Sequence, residues 1–563
     1  MGLLDRRIAL LFAAFLGLLT FAAVRAAYVG TIKAPGLQRA ANSQQVATVT
    51  IPARRGTITD RHGIELAVSE PADDIAANPM LIKDPVGVAN RIAPLIGVPA
   101  KDLLDKLADR KRGFVYLQRL VPSGRARRVQ KLEIEGIDLM PSAQRIYPQK
   151  FLASQLLGTV GIDGQGLGGL EYSEDRTLRG HSGERRIVQD ALGQPISLRD
   201  ERAMRAGKNI SLTLDSAIQD RTEKVLAEVG AAFSPKGATA LVMDPRTGAL
   251  LAVANWPRID ANEVGAAPDY ARTDRAVQFA YEPGSTFKPF TVAGALEQRL
   301  VTPETSFSLA PTIQVADRTI EEAHGGGGTL TTSEILARSS NVGTVTIGLR
   351  LGPNLFDSWV RRFGFDRPTG VELPGEGTGI VPRPKDYSGS SMGNLPIGQG
   401  LAVTPLQMAT AYAAIANGGI LRSPHIIRKV GGKPAKLPRA RRVITRATSA
   451  SLRTMLEGVL AQGGTASEVS IPGYQLAGKT GTAQKPDPIN GGYSDTNYVA
   501  SFVGFAPARD PQVLVAVMVD EPEGEHLGGV VAAPAVQRIL EFALPYLRIA
   551  PDDPAAAEGK AGL

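Results

Sequence analysis

Two pairs of apolar runs, far apart in the chain, constrain the fold more than anything else in the sequence. Ala238 to Met243 and Ala249 to Asn255 are joined by Asp244-Pro-Arg-Thr-Gly248, with Pro and Gly where a hairpin needs them. Tyr498 to Phe505 and Val513 to Val519 repeat the pattern across Ala506 to Pro511. Short apolar runs bounded by turn residues read as buried strands. Four strands of one antiparallel sheet are then split between the two ends of a domain, and helices must fill the middle. Thr404-Pro405 starts one helix with a capping residue and a first-turn proline, and Asn417-Gly418 ends it. Leu452, Met455, Leu456, Val459 and Leu460 give a second its buried stripe, and residues 534–548 make a closing helix. The expected class is α+β, an antiparallel sheet flanked by helices.

This domain opens at Asn209-Ile-Ser-Leu-Thr-Leu-Asp215, an alternating strand whose Asp215 or Ser216 can cap the helix after it. Upstream the pattern changes. Val46 to Pro52 alternates as a strand does, Asp60 to Gly63 reads as a hairpin turn before Ile64 to Val68, and Lys101 to Leu132 has a helical pattern with a basic face including Arg125, Arg127 and Arg128. Arg145-Ile-Tyr-Pro148 and the glycine-dense Gly158 to Gly169 are irregular. These glycines follow no strand and precede no Gly-Lys-Ser/Thr, so they form no phosphate loop. Residues 46–205 read as an elongated, mixed α/β, non-catalytic pedestal, and residues 54–63 as an arginine-laced structural hairpin. Nearer the start, Ile8 to Val24 is uncharged and mostly apolar, and Ala26, Ala27 and Tyr28 extend it. Residues 8–28 therefore read as a single transmembrane anchor. A removable signal peptide is the alternative, because the run is at the short end of spanning length and Val24-Arg-Ala26 resembles a cleavage site. Arg6 and Arg7 put residues 1–7 in the cytoplasm, with 29–45 as linker and the rest outside the inner membrane. The polar, Ala-rich residues 549–563 are expected to be a disordered tail.

With no cysteine in 563 residues, thiol nucleophiles, disulfides and thiolate zinc sites are excluded. His62, His181, His324, His425 and His526 have no ligand spacing, so no metal and no cofactor is expected. A formal charge of +8 without interleaved aromatics or a known module does not make a nucleic-acid binder. Tyr281-Glu-Pro-Gly-Ser-Thr-Phe-Lys-Pro-Phe290 sets a hydroxyl and an amine three residues apart at a helix start. Pro289 places that start no earlier than about Ser285, so Ser285 and Lys288 share a face where backbone N–H groups point outward. Alone this is a weak signal, and an exposed helix turn is the plain reading. Ala337-Arg-Ser-Ser-Asn-Val-Gly343 adds Ser339 and Asn341, and Leu476-Ala-Gly-Lys-Thr-Gly-Thr482 adds Lys479, Thr480, Gly481 and Thr482. The three elements in this order are the signature of penicillin-binding proteins and serine β-lactamases. No histidine is placed to serve the serine, so a neutral Lys288 must be its base, and burial and the charge of Lys479 would both lower its pKa. Ser339 can relay a proton to a leaving amine, and Asn341 can hold Lys288 or a substrate amide. Lys479 with Thr480 or Thr482 would bind a carboxylate, an edge strand would pair with an extended peptide, and the N–H groups of Ser285 and Thr482 would form an oxyanion hole.

Over nearly its whole length the chain resembles the class B penicillin-binding proteins, the FtsI-like D,D-transpeptidases of peptidoglycan. The resemblance rests on the anchor, Arg55-Gly-Thr-Ile-Thr-Asp-Arg-His-Gly63, Gly169-Leu-Glu171, Thr213-Leu-Asp215, Glu282 to Lys288, Phe363-Gly-Phe365, Gly370 to Gly375, Gly398-Gln-Gly400, Thr404-Pro-Leu-Gln407 and Gly528-Gly529. It implies a transpeptidase domain of serine β-lactamase-like fold over 206–548, and over 46–205 the family's dimerisation or pedestal domain. It implies attack by Ser285 on the D-Ala-D-Ala end of a peptidoglycan stem peptide, release of D-alanine, and transfer to an amine of a neighbouring stem, with β-lactams as covalent inhibitors. The short linker and length are more similar to the septal, division-related enzyme than to the elongation enzyme, which stays as the alternative beside a non-enzymatic β-lactam-binding division scaffold. An FtsW-type glycosyltransferase and divisome proteins are the implied partners. A serine β-lactamase is disfavoured by the long pedestal and by the lack of a Glu-x-x-Leu-Asn-like element.

Overall fold

The computed structural model describes residues 3–34, 46–189, 195–323, 327–437, 440–487, 489 and 491–558. Residues 35–45 of the expected linker, 559–563 of the expected tail, and His324 lie outside the described residues. The chain divides into two compact units, one of residues 1–54, 71–144 and 180–207, the other of residues 55–70, 145–179 and 208–563.

In the first unit the apolar N-terminal run forms a helix, Leu3–Tyr28, with Arg6 to Lys33 long and apolar enough to cross a membrane. Strands Val46–Ile51, Gly183–Gln189 and Pro195–Arg202 form a three-stranded antiparallel sheet. A separate small core gathers Ile75, Ile92, Leu103, Leu107, Leu117 and Val129. The helical pattern expected over Lys101 to Leu132 is interrupted there. Helices Ala100–Leu107 and Ser123–Gln130 flank a strand, Val115–Pro122, which pairs antiparallel with residues 72–77. Val115, Leu117 and Val121 alternate inward and Tyr116 and Gln118 outward, while part-buried Arg119 donates to Asp74 and breaks the apolar alternation.

The second unit holds the sheet that the split runs predict, with one more strand than expected. We label its strands β1 (Gly237–Asp244), β2 (Ala249–Trp256), β3 (Ala477–Pro486), β4 (Tyr493–Ala506) and β5 (Val513–Asp520). Their order is β2-β1-β5-β4-β3, all antiparallel, so β5 pairs directly with β1 and the two ends of the domain close one sheet. The added strand, β3, is the edge strand and carries Lys479 to Thr482. Its two glycines and lack of an apolar alternation hide it from a pattern search.

The helices are α1 (Ser216–Phe233), α2 (Lys288–Glu297), α3 (Asn341–Leu351), α4 (Pro405–Ala416), α5 (Arg446–Glu457) and α6 (Ala533–Tyr546). Asp215 caps α1 by accepting from the N–H groups of Ala217 and Ile218. Thr404 and Gln407 form a full capping box on α4. Every residue of α4 is buried, as befits a helix apolar on all sides. It packs on β1 and β5 and touches α5, while α1 and α6 pack on each other and on the sheet.

The Arg55-to-Gly63 box and Gly169-Leu-Glu171 meet inside this unit. Buried Glu171 accepts from Arg55 Nε at 2.5 Å and Arg145 Nε at 2.6 Å, and Arg55 also reaches Asp175 at 2.7 Å. Asp60 accepts from the N–H groups of His62, Ile64 and Ser216, and His62 Nε2 lies 3.0 Å from Asp215 Oδ2. The box is structural, pinning its hairpin to the start of α1. The expectation of disorder from residue 549 is corrected for the described part. Tyr474 Oη donates to Ile549 O, Asp552 accepts from Gln475 N–H, and Pro554–Glu558 form a helical turn.

Candidate active site

Pro283 and Gly284 lead into a 3-10 turn, Gly284–Phe287, that runs directly into α2 at Lys288, with Pro289 in its first turn. Ser285 is half-buried at this turn and Lys288, one turn on, is fully buried. An aromatic cluster supports the turn from below. Phe287 stacks 5.3 Å from Phe365, Phe290 lies 4.9 Å from Phe363 and 5.3 Å from Tyr412, and Tyr412 Oη donates to Thr286 O at 2.6 Å. These contacts give Phe363-Gly-Phe365 its physical reason. Gly398, at φ 82°, accepts at its carbonyl from Gly284 N–H, and a Cβ there would come within 2.2 Å of Gly284 O, so only glycine fits.

Lys288 is brought together with Ser339 and Asn341. Its Nζ donates to Ser339 O at 2.5 Å, Ser339 Oγ at 3.2 Å and Asn341 Oδ1 at 2.7 Å. Ser339 sits at φ 60°, a left-handed conformation that costs a non-glycine residue about 1–2 kcal/mol and turns both its oxygens toward one amine. Asn341 begins α3.

Strand β3 packs on the nucleophile turn. A Cβ on Gly284 would stand 3.4 Å from Thr482 O, and one on Gly481 would meet Ser501 Oγ at 2.5 Å, Thr286 Cγ2 at 2.8 Å and Pro283 O at 3.0 Å. The absence of a side chain at Gly481 is what lets the strand lie against Ser285. Lys479 is fully buried and donates to Thr480 O and Oγ1 at 3.3 and 3.4 Å. The Thr480 hydroxyl is 2.6 Å from that of Thr465, and Thr482 Oγ1 accepts from Gly528 N–H at 3.0 Å.

Burial is the main cause that pushes the Lys288 amine down to about 7, with Glu322 acting the other way. Lys479 is pushed well below the usual lysine range, first by burial and then by repulsion from Lys288. Of the two causes that the sequence suggests for Lys288, burial acts, and the charge acting beside it is that of Glu322 rather than Lys479. A sequence search also misses three contributors. Glu322 accepts from Ser340 Oγ and Asn341 N–H, Thr465 touches Thr480, and Tyr412 holds the turn. They lie 18, 15 and 126 residues from the partners they bond, and no local spacing marks them. A cavity of about 250 Å³ lies beside the turn, bounded by Tyr281, Glu282, Gly400, Gln484 and Lys485.

A fully buried amine beside a half-buried serine, ringed by hydroxyl and amide oxygens and flanked by an edge strand, makes up the candidate site. The family model described as penicillin binding protein transpeptidase domain matches residues 238–541, and the penicillin-binding protein dimerisation domain matches residues 50–212. The chain belongs to the penicillin-binding protein transpeptidases. It is similar to the probable peptidoglycan D,D-transpeptidase PenA of Neisseria meningitidis, 32% identical over 539 residues that cover 95% of this chain and 91% of PenA. Peptidoglycan D,D-transpeptidase FtsI of Escherichia coli K12 is 31% identical over 553 residues, 97% of this chain and 92% of FtsI. Penicillin binding protein 3 from Mycobacterium tuberculosis, complexed with ampicillin, superposes with a TM-score of 0.71 at 29% identity, over 90% of this chain and 98% of that one. Within the family this chain is a class B member with an FtsI-like transpeptidase.

Proposed function

We propose that this protein is a peptidoglycan D,D-transpeptidase that works through an acyl-enzyme on Ser285. The observation that carries this reading is the buried amine of Lys288, held by Ser339 and Asn341 one turn from the serine. The neutral amine takes the Ser285 proton as Oγ attacks the carbonyl of the penultimate D-alanine. Negative charge developing on the carbonyl oxygen is met by the N–H groups of Ser285 and Thr482; losing one such donor costs about 3 kcal/mol. The C–N bond then breaks, and the proton passes from Lys288 through Ser339 Oγ to the departing D-alanine amine. An amine of a second stem attacks the ester, Ser285 regains its proton, and the cross-link leaves. Lys479, Thr480 and Thr482 hold the terminal carboxylate, and the open edge of β3 pairs with the donor peptide. β-Lactams enter by the same route and leave Ser285 acylated.

The division of labour follows the motifs. Residues 8–28 anchor the chain in the inner membrane with residues 1–7 in the cytoplasm; 46–205 serve as pedestal and 206–548 as the extracytoplasmic transpeptidase. Similarity to FtsI supports a septal role with an FtsW-type glycosyltransferase and divisome proteins as partners. The purified chain, given a donor ending in D-Ala-D-Ala and an amine acceptor, is expected to release D-alanine in step with a new amide bond. Release without the new bond would make it a hydrolase, and no release would leave only a penicillin-binding scaffold. A fluorescent fusion is expected at midcell; sidewall fluorescence would reassign it to elongation.

A further inference from the structure

Glu322 follows the strand Arg318–Glu321 and is half-buried against the start of α3. One carboxylate oxygen accepts from Ser340 Oγ at 2.5 Å and the other from Asn341 N–H at 2.8 Å. Next to it, Glu321 O accepts from Asn341 Nδ2 at 2.9 Å. That bond fixes which way the Asn341 amide faces, so that its Oδ1 meets Lys288 Nζ. Ser340 Oγ in turn accepts from Gly343 N–H, which closes the first turn of α3 around the same carboxylate. A negative group at a helix start is favoured by the helix dipole. Without an external clamp, Ser339 would relax from its left-handed conformation and withdraw its oxygens from the amine.

We propose that Glu322 is a positioning residue of this site, fixing the Ser339 to Asn341 segment against Lys288 and supplying the negative charge that stabilises the ammonium formed when Ser285 gives up its proton. The charge acting on Lys288 is that of Glu322, which opposes burial, and Lys288 in turn helps to lower Lys479 of β3. Burial alone would make Lys288 a weak base. Glu322 restores part of its basicity without making it a permanent cation.

The inference rests on Lys288 being the base of Ser285, and the test separates the two. Second-order acylation by benzylpenicillin is measured between roughly pH 5 and 9 for wild type, Glu322→Gln, Ser340→Ala and Lys288→Arg. Glu322→Gln is expected to move the acid limb about one unit toward lower pH and to lower the plateau about tenfold or more, since a charge at this range acts by that order. Ser340→Ala keeps the charge and loses one clamp, so its plateau falls with the limb in place. A Glu322→Gln limb coincident with wild type, or a Ser340→Ala limb shifted equally far, would overturn the proposal. Lys288→Arg acylating like wild type would remove the base assignment itself, and the role of Glu322 with it.

Discussion

At the scale of the residue, the proposed mechanism turns on keeping one lysine uncharged. Lys288 titrates near 7 because burial disfavours its cation. Only the neutral amine can accept a proton, so acylation is expected to rise about tenfold per pH unit below 7 and to level above it, read as the rate constant for penicillin acylation against pH. Lys288→Arg keeps a cation that cannot deprotonate, and should lower acylation by about a thousandfold or more with circular dichroism and thermal midpoint little changed. Gly481 is a different kind of requirement. In Gly481→Ala the new Cβ would sit 2.5 Å from Ser501 Oγ and 2.8 Å from Thr286 Cγ2, so β3 must move off the nucleophile turn. Such overpacking costs about 1–3 kcal/mol, and labelling should fall more steeply than stability because the displaced strand carries Thr482, the proposed oxyanion donor. Labelling that kept pace with stability would show that the strand is not part of the site. The three motifs were legible in the sequence because each is short and local. Glu322, Thr465 and Tyr412 were not, because each reaches its partner only through the fold.

At the scale of the element, one device holds the Ser285 turn and another ties together a different part of the same unit. The hydrogen bond from Tyr412 Oη ties the turn to the central helix α4, and the aromatic cluster fills the space beneath. Tyr412→Phe leaves the buried Thr286 carbonyl without that donor and should cost about 1–2 kcal/mol, seen as a lower thermal midpoint, with a smaller loss of acylation. The second device is remote. Glu171 is fully buried between Arg55 and Arg145. Glu171→Ala would leave the Arg145 guanidinium without a carboxylate and Arg55 with Asp175 alone, and should cost about 3–5 kcal/mol, measurable by denaturant unfolding. A change under 1 kcal/mol would mean that the network is not structural. Strand β3 shows why elements escape a pattern search. Gly478 and Gly481 depress its β-propensity, and both are required by close neighbours, Phe502 and Ser501 respectively. The strand Val115–Pro122 escaped for another reason, its part-buried Arg119 interrupting the apolar alternation that would mark a strand.

At the scale of the whole molecule, the split sheet is the feature that the sequence makes most visible, since the hairpin Gly237–Trp256 and the pair Tyr493–Asp520 each announce themselves with turn chemistry and buried runs. Their union through β1 and β5 puts the last third of the domain against the first, and so delivers β3 to a nucleophile about 200 residues earlier. The membership of residues 55–70 and 145–179 in the same unit as this sheet was not legible, because it depends on Arg55, Glu171 and Arg145 finding one another in space. The most direct test of the account is fluorescent penicillin labelling of the purified full chain, wild type beside Ser285→Ala, followed by intact mass. Wild type should gain one covalent penicillin that survives denaturation, and Ser285→Ala, folded to the same thermal midpoint, should gain none. Equal covalent labelling of the two proteins would contradict it.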